Sequence, residues 1–358
     1  MTSSSNARRL PDGLPFTLPL RPAARRIRDG TSDGSIPRQP MAGFETRFTD
    51  IVDYIVRITD EIWRDHAIGY IHDTYDPAAV VYSSYGVVRS AERIVQSTIT
   101  GIAGVPDGDT HHLNVALSGD EVAGFYSAHL GFGGGTNVAP TIYGPATGNR
   151  YVMRFAADCI SRANLIHTEW LVRDSGAMVR QLGLVPDSAA RAVAALPVAE
   201  PYVVAGPLMT IDFALLVAEC TPRAWVADLV ATVWNGRRFD RLARFYAPDV
   251  VAYSGGGRTV QGLPALSNLL IGILAAIPDG VMIVDHVCWS EEVDGVIVAV
   301  RWTLVELSGR GGVLGGELSA GRPVYMMGVS HLRLDGPLIV EEWTVFDEIA
   351  VMAMAYRA

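Results

Sequence analysis

The first folded segment of the chain has the hydrophobic spacing of an amphipathic helix. Apolar residues recur every three or four positions, at Ile51, Ile55, Ile58 and Ile62. This spacing places them on one face of a helix that is predicted to end near Trp63. The polar residues between them would face water, so the segment is expected to cover an apolar surface elsewhere in the chain.

Extended segments follow the helical ones. A second helix is predicted over residues 91–103, and it closes at a Pro-Asp-Gly turn. After that turn, β-branched and aromatic residues predict strands around 112–117, 122–131, 150–162 and 165–173. Helices followed by strands along one chain indicate an α+β fold.

The same order of residues occurs a second time further along the chain. Four of the seven tryptophans fall in register between the two copies, which chance does not explain. We infer that the protein is an internal duplication of one structural unit. The matched residues are Trp63 with Trp234, Tyr75 with Tyr246, Pro77 with Pro248, Tyr82 with Tyr253, Glu169 with Glu342, Trp170 with Trp343, and Asp174 with Asp347.

The repeat divides the chain into four parts. Residues 1–44 are rich in Ser, Pro, Gly and Arg, which predicts a disordered tail that takes no part in a folded core. The first unit covers 45–185, a proline-punctuated linker covers 186–219, and the second unit covers 220–352. Met41 stands just before the first periodic segment and is a candidate alternative start of translation. We expect deletion of residues 1–40 to leave the melting temperature and any activity essentially unchanged.

Composition excludes several kinds of chemistry and partner. All 29 basic residues are arginine, which excludes a lysine Schiff base and a Walker-type phosphate loop. The net charge of −9 disfavours nucleic acid and anionic membranes as partners, because phosphate neutralisation needs clustered cations. No apolar run reaches membrane-spanning length, and no signal-peptide core is present. The three cysteines are far apart, so we expect a reduced, cytoplasmic protein.

The sequence contains no motif for a metal or an organic cofactor. There is no HExxH motif and no GxSxG elbow, and the glycines of residues 131–135 lack the spacing of a dinucleotide-binding loop. We therefore expect neither a metal nor a cofactor. The glycine-rich stretch is instead predicted to be a mobile loop that precedes Tyr143 and covers the mouth of a pocket.

The repeated pattern resembles the SnoaL-like branch of the nuclear transport factor 2-like superfamily. The residues that carry the resemblance read, in each half, W…Y-x-P…V-x-Y-S…P-D-G…E-W-x-V-x-D. The resemblance covers nearly all of 45–185 and 220–352. It implies two tandem cone-shaped α+β barrels, in each of which a curved antiparallel sheet wraps around helices. Two fused units would form an intramolecular pseudo-dimer, and a homodimer is a further alternative.

Four side chains are the candidate catalytic groups. His112 matches the pocket histidine of SnoaL-like dehydratases, and Tyr82 lies on the strand that supplies a tyrosine to scytalone-dehydratase-like pockets. His129 and Asp158 lie in apolar strand segments, where an unpaired polar group is costly. We expect the two histidines and Asp158 to converge in the first cone. The alternatives are a solvent-facing His112, a structural core histidine at 129, and an Arg154–Asp158 ion pair.

Five more side chains are candidate substrate contacts, namely Trp63, Tyr126, Arg154, Asp174 and Tyr143. Trp63 ends the first helix, where the family lines its cavity, although a core tryptophan is the alternative. Asp174 ends the last strand of the unit, where polyketide cyclases place an acid–base aspartate. A simple structural role is the alternative for each polar residue.

The first half is expected to be the catalytic half. Val284 stands at the position of His112, and the alignment places Trp302 at the position of His129. The second half would then serve as a partner, or as a pocket of different specificity.

The resemblance implies cofactor-free acid–base chemistry, or simple binding, inside the cone. We expect a lyase-type reaction (elimination, dehydration or retro-aldol deformylation) on a small hydrophobic, hydroxylated aromatic or polyketide-like compound. Lignin-derived phenolic dimers are one candidate class. The alternatives are an isomerase or polyketide cyclase, and a non-catalytic protein that binds a small ligand or dimerises.

Overall fold

Two copies of a helix-then-strand unit make up the chain. The computed structural model describes residues 13–18, 39–198, 200, 221–292, 295–306 and 324–357. The first copy contains α1 (Ile51–Thr59), α2 (Ile71–Thr74), β1 (Tyr75–Ser83), β2 (Gly86–Arg89), α3 (Ala91–Gly104), β3 (Asp109–Asp120), β4 (Gly124–Thr136), β5 (Arg150–Arg162), β6 (Leu165–Arg173), α4 (Ser175–Gln181) and α5 (Pro186–Ala194). The second contains α6 (Pro222–Leu229), β7 (Tyr246–Ser254), β8 (Arg258–Gln261), α7 (Leu263–Ala276), β9 (Val281–Glu292), β10 (Gly295–Glu306), β11 (Val324–Asp335), β12 (Leu338–Phe346) and α8 (Glu348–Tyr356). Of the helices in these ranges, none is both long and apolar enough to cross a membrane.

The predicted first helix is confirmed as α1. It begins after Asp50, whose side chain accepts a hydrogen bond from the Asp53 amide at 2.8 Å and so caps the helix. α1 then continues into a π-helical turn, Asp60–Arg64, and α6 continues into the equivalent turn, Val230–Asn235. Because a π turn changes the direction in which the following side chains leave the helix, it determines what the end of α1 presents to the sheet.

All twelve strands belong to one sheet. Their order is β2-β1-β6-β5-β4-β3-β9-β10-β11-β12-β7-β8, so the second half mirrors the first about the β3–β9 contact. Neighbouring strands are antiparallel except in two pairs, β1 with β6 and β7 with β12. The predicted α+β class, with a large curved sheet and helices, is confirmed. The sheet is nevertheless open at β2 and β8 and is not a closed barrel, and it is not wholly antiparallel.

Each half of the sheet has an inner face against its own helices and an outer face against the other half. The inner faces build two separate cores, one in each half. The outer faces share a third core, to which Tyr126 and Ala156 contribute from the first half and Ile297 and Val329 from the second. Successive residues of a strand therefore alternate between the cone of one half and the contact between halves.

Part of the predicted tail belongs to the second core. Phe16 is only 5% exposed, and its ring centroid lies 5.6 Å from that of Trp225 in an edge-on contact. The expectation that the tail takes no part in a core is therefore wrong for residues 13–18, and it is also wrong for Phe44, which is buried in the first core. An apolar pair within a polar stretch is enough to anchor a short segment, and average composition hides it. Residues 1–12 and 19–38 lie outside the described residues.

Two other segments differ from their predicted structure. The predicted linker contains α5, whose Ala190 and Val193 are buried with residues of α8, while 201–219 lies outside the described residues. Residues 131–135 were predicted to be a mobile loop, but they belong to β4. The glycines there allow close approach to neighbouring groups, because a Cβ on Gly131 would lie 2.7 Å from the Phe155 ring.

We predict that Phe16→Ala destabilises the protein by about 3 kcal/mol, the typical cost of truncating a buried phenylalanine. The ring packs on Trp225, so its loss leaves a cavity in the second core. Urea denaturation followed by tryptophan fluorescence measures the change. Thr17→Ala is the matched control, because Thr17 is exposed in the same segment. Equal midpoints for the two variants would contradict the assignment.

Candidate active site

Three polar side chains form a hydrogen-bonded chain on the inner face of the first half. His112 Nε2 lies 2.8 Å from Asp60 Oδ1, and His112 Nδ1 lies 2.8 Å from His129 Nε2. The two imidazole rings are stacked with centroids 4.9 Å apart. His129 is 1% exposed, whereas the side chain of His112 is 11% exposed. The structure thus brings the two predicted histidines together and adds a carboxylate that was not predicted.

A β-bulge places His112 on the inner face. His112 pairs with Gly131, and Asn114 pairs with Leu130, so Leu113 is an extra residue in β3. A bulge of this kind changes which side chains point to which face of the sheet. As a result the His112 imidazole meets the π turn after α1, while Asn114 contacts the second half of the chain.

A row of directly paired residues runs from His112 across four strands. His112 pairs with Gly131, Gly131 with Phe155, and Phe155 with Arg173. Directly paired residues of neighbouring strands share a face, so all four face the helices of the first half. The row therefore has an imidazole at one end, an aromatic ring in the middle and a guanidinium at the other end.

The π-helical turn Asp60–Arg64 covers this row. Asp60 contacts His112, and three residues later the Trp63 ring centroid lies 5.7 Å from the Arg173 guanidinium. Arg64 forms a salt bridge with Asp60 at 2.9 Å. No carboxylate of the described residues lies within ion-pair distance of Arg173. Trp63, predicted to contact substrate, thus lies on the inner face beside a cation whose charge is felt by Glu169 but which has no direct ion-pair partner among these residues.

Burial and hydrogen bonding give Asp60 and His129 different charges at neutral pH. Burial raises the pKa of Asp60, but the hydrogen bond and charge of His112, together with Arg64, outweigh it and hold the pKa below its ordinary value. Burial lowers the pKa of His129 well below its ordinary range, and a charge on His112 lowers it further. At neutral pH Asp60 is therefore a carboxylate and His129 a neutral imidazole. The described residues contain no group of three or more His, Cys, Asp or Glu side chains suited to a metal ion.

The equivalent positions of the second half are apolar. Strand pairing defines the equivalences, because Gly124 opens β4 and Gly295 opens β10 in matching hairpins. The prediction that Trp302 replaces His129 is therefore wrong, since the loop after β4 differs in length between the halves and shifts the linear alignment. The equivalent residues are Ala231 for Asp60, Val284 for His112, Val300 for His129, Trp302 for Gly131, Gly328 for Phe155 and Phe346 for Arg173.

Aromatic side chains fill the second cone. The Trp302 ring occupies the space that Phe155 fills in the first half, and a side chain on Gly328 would overlap it. Trp234 and Phe346 lie against this ring, with centroids at 6.3 and 6.5 Å. A cavity of about 20 Å³ remains, which is room for about one water molecule. The second cone therefore lacks counterparts of Asp60, His112 and His129, and the cavity that remains in it, which Tyr246 and Glu342 also line, is too small for a substrate.

Asp158 lies on the outer face, away from both histidines. It pairs with the residue before His129, so the two side chains leave the sheet on opposite sides. Its Oδ2 accepts a hydrogen bond from Tyr126 and lies 3.9 Å from Arg301 Nε of the second half. The prediction that Asp158 converges with His112 and His129 is wrong, because the pleat separates them.

Tyr82 and Tyr126 also face the other half of the chain. The Tyr82 ring stacks on Trp170 with centroids 5.7 Å apart. The Tyr126 hydroxyl accepts a hydrogen bond from Arg301 Nε at 3.1 Å and donates to Asp158. Both tyrosines were predicted to act in the first cone, and the alternation of their strands places them outside it.

Asp174 and Tyr143 connect the two halves instead of lining the cone. The Asp174 carboxylate caps α4 and accepts hydrogen bonds from the amides of Gly256 at 2.6 Å and Gly257 at 3.0 Å. The Tyr143 hydroxyl bonds to Ser175 Oγ at 2.8 Å, and Ser175 Oγ in turn donates to Asp347 of the second half at 2.6 Å. Because both Asp174 oxygens are engaged by backbone amides, the predicted substrate contact is replaced by a structural role.

Arg154 does not pair with Asp158 either. Its guanidinium lies between the rings of Phe132 and Tyr253, at 5.7 and 5.1 Å from their centroids. The side chain lies on the outer face, at the boundary between the halves. Neither the predicted ion pair nor a position in the first cone is observed.

Asp60 and Arg173 are the site residues that the sequence reasoning missed. A signal for both was present in the repeat, because each is a charged residue whose counterpart, Ala231 or Phe346, is apolar. A difference of this kind between two copies of one fold indicates a role other than folding.

The fold and the site together define a tandem α+β protein with one polar and one apolar cone. Residues 224–354 match the family model described as SnoaL-like polyketide cyclase. The match lies wholly within the second half, and it confirms the SnoaL-like resemblance for that half. No curated protein matches the chain.

Several solved structures are similar to part of the chain. AclR from Streptomyces galilaeus is 26% identical, and the similarity covers 38% of this chain and 85% of AclR with a TM-score of 0.32. IdmH from Streptomyces antibioticus is 23% identical, covering 37% of this chain and 96% of IdmH with a TM-score of 0.30. A SnoaL-like polyketide cyclase from Agrobacterium tumefaciens is 20% identical, covering 36% of this chain and 91% of its own with a TM-score of 0.26.

We predict that Asp158→Asn changes the pH dependence of stability. Burial raises the pKa of Asp158 to about 6, despite the lowering effects of Tyr126 and Arg301. From about pH 4 to about pH 6 the unfolded chain loses this proton while the folded chain keeps it, so wild-type stability falls as the pH rises. The variant lacks this loss, which is on the order of 3 kcal/mol for such a shift.

The measurement is the free energy of unfolding of both proteins across that pH range. The difference between them should change in favour of the variant as the pH rises, because other titrating groups cancel. Parallel pH profiles would show that Asp158 does not keep its proton in the folded chain.

Proposed function

We propose that the first half is the catalytic half of a small-molecule enzyme that acts by proton transfer, with Asp60, His112 and His129 as its acid–base group. One observation carries the proposal. The second half builds the same fold with apolar residues at all three positions, so the fold does not require a buried polar chain there. Such a chain is costly to bury, and perturbed titratable groups of this kind mark functional sites.

The donor and acceptor roles of the four ring nitrogens determine how a proton moves along the Asp60–His112–His129 hydrogen-bonded chain. In the resting state His112 Nε2–H donates to Asp60, and His112 Nδ1 accepts from His129 Nε2–H. The remaining nitrogen, Nδ1 of His129, is then the base. When it takes a proton from substrate, the Nε2 proton of His129 passes to His112, whose positive charge lies beside the Asp60 carboxylate. The reverse transfer returns a proton, so one chain acts as base and then as acid.

Arg173 supplies the complementary charge. It shares the cross-strand row with His112, and its guanidinium lies over Trp63 without a carboxylate partner. Removal of a proton from a carbon beside a carbonyl places negative charge on the carbonyl oxygen. A fixed guanidinium in a site of low water content stabilises such an oxyanion strongly.

The reaction we infer is a lyase-type elimination on a small hydrophobic, hydroxylated carbonyl compound of aromatic or polyketide type. In a dehydration, the Asp60–His112–His129 chain removes a proton from the carbon beside the carbonyl. It then gives a proton to the hydroxyl group, which leaves as water. In a retro-aldol step the base instead takes the hydroxyl proton, the carbon–carbon bond breaks, and the proton returns to the enolate carbon. Both schemes balance without a cofactor.

A polyketide cyclase or isomerase is the second candidate. The match of residues 224–354 to the SnoaL-like polyketide cyclase family supports it. Ring closure by an aldol step also begins with removal of a proton beside a carbonyl, so the same residues would serve. A product with a new carbon–carbon bond, identified by mass spectrometry and NMR, distinguishes this candidate from a lyase.

We predict that His112→Val, His129→Val and Asp60→Ala fold normally and lose activity. Each change introduces the residue, or nearly the residue, that the second half carries at the equivalent position. The rate of a reaction that needs only a positioned base, such as ring opening of 5-nitrobenzisoxazole, should fall by roughly 10²–10⁴-fold. Dehydration of β-hydroxy ketones is the more specific assay.

The matched control for these variants is His331→Ala. His331 is also a buried histidine, but it lies on the outer face and contacts Asn114. Its loss should reduce the rate less than about tenfold, because it makes no contact with the Asp60–His112–His129 chain. If wild type and His129→Val convert every substrate at equal rates, the first half is a binding domain and the catalytic proposal is wrong.

We predict that Arg173→Met lowers kcat more than it raises KM for carbonyl substrates. The guanidinium acts on charge that develops during the reaction, so its loss should cost about 10²-fold in kcat. Arg173→Lys should recover part of the rate, because it keeps the charge but not its geometry. Steady-state kinetics of the three proteins are the measurement, and a change in KM alone would restrict Arg173 to substrate binding.

A further inference from the structure

A groove between the two halves contains an arginine that forms no ion pair with a carboxylate of the described residues. The groove has a volume of about 190 Å³, and Arg154 lies in its wall. It opens on the outer side of the sheet, so it is separate from the inner face that carries the Asp60–His112–His129 chain. Other residues of its wall are Phe132, Met153, Asp174, Gln181 and Gly257.

Most of the hydrogen-bonding capacity of Arg154 is unused. A guanidinium has five N–H donors, yet the side chain makes one long hydrogen bond, from Nη1 to the Ser254 carbonyl at 3.4 Å. Its Nε is buried without a partner. The rings of Phe132 and Tyr253 cover the guanidinium at 5.7 and 5.1 Å. Nη2 has no hydrogen-bond partner among the described residues, so the terminal edge of the guanidinium, Nη1 and Nη2, is the part that remains available to a ligand.

The one carboxylate in the groove wall is already committed. Asp174 accepts hydrogen bonds from the amides of Ala177, Gly256 and Gly257 at 3.1, 2.6 and 3.0 Å. These bonds hold its oxygens on the backbone of α4 and of the turn after β7. Asp174 thus contributes negative charge to the neighbourhood without forming an ion pair with Arg154.

The fold does not require a cation at this position. Strand pairing makes Met327 of β11 the counterpart of Arg154 in β5, and Met327 is buried in the core that the two halves share. An apolar side chain therefore serves where the second half needs only packing. A guanidinium with unsatisfied donors is costly in such a place, and a ligand that accepts hydrogen bonds from it removes that cost.

We propose that this groove is a second binding site, which takes the carboxylate group of a small aromatic acid. The planar fork of arginine matches the two oxygens of a carboxylate, and Phe132 and Val152, which line the groove and share the face of Arg154, offer apolar surface to a ring. The nearby charge of Asp174 disfavours a dianion such as phosphate. The volume is below the roughly 300–1,000 Å³ of drug-sized pockets, so the acid has one or two rings.

The test measures binding of benzoate, 2-naphthoate and inorganic phosphate to the full chain by calorimetry and thermal shift. The aromatic acids should bind wild type and stabilise it, whereas Arg154→Met should lose at least about tenfold in affinity. Arg154→Lys should be intermediate, because it keeps the charge without the fork. Arg162→Met is the matched control, since Arg162 is an exposed residue of the same strand, and it should bind as wild type does.

His129→Val separates this proposal from the proposed function. Because His129 faces the inner side of the sheet, the variant should bind the acids unchanged whatever its activity. The proposal is overturned if wild type binds none of the aromatic acids, or if Arg154→Met and Arg154→Lys both bind them as well as wild type. Binding of phosphate as tightly as naphthoate would also overturn it, because the site would then lack selectivity for an aromatic carboxylate.

Discussion

The alternation of side chains between the two faces of the sheet is the constraint on which the rest of this structure depends. Each strand serves two interiors, the cone of its own half and the contact with the other half. A shift of one residue therefore moves a group from one interior to the other. His129 and Asp158 illustrate the effect, since they lie on adjacent strands one register position apart and meet entirely different partners. Proton-transfer chemistry and inter-half packing can vary separately because the sheet lies between them.

The contact between the halves combines apolar packing with reciprocal capping. Asp174 of the first half accepts a hydrogen bond from Gly256 of the second at 2.6 Å, and Asp347 of the second accepts from Tyr85 of the first, also at 2.6 Å. The two aspartates occupy equivalent positions at the start of α4 and α8. Each aspartate accepts a hydrogen bond from an amide in the first turn of its own helix and another from a residue of the other half. The same residue type therefore caps a helix and links the halves at both places. Burial raises the pKa of Asp347 to about 6, which makes this contact sensitive to mildly acidic pH.

The duplication places a hydrogen-bonded polar group in one cone and packed aromatic rings in the other. Both cones hold an aromatic ring at the same place, but Phe155 supplies it opposite Gly131 in the first half, and Trp302 supplies it opposite Gly328 in the second. Phe155 is smaller than a tryptophan, and polar side chains occupy the two ends of the cross-strand row to which it belongs, His112 and Arg173. The larger ring of the second half packs with its neighbours and closes the space. Both halves therefore fill this position with an aromatic ring, but the ring has polar neighbours in the first half and aromatic neighbours in the second.

Much of the fold and part of the candidate site followed from the sequence alone. Local periodicity determined α1 and the strands, and the repeated residues revealed the duplication, because these signals depend only on neighbouring positions in the chain. His112 was identified from its resemblance to the pocket histidine of SnoaL-like dehydratases, not from the repeat, which has Val284 at that position. The tertiary structure alone decided which groups meet. The bulge at Leu113 aims His112 at a π turn that supplies Asp60, and the pleat directs Asp158 away from both histidines. Such outcomes depend on pairing between distant strands, and a bulge or a loop of different length changes that pairing without changing any local pattern.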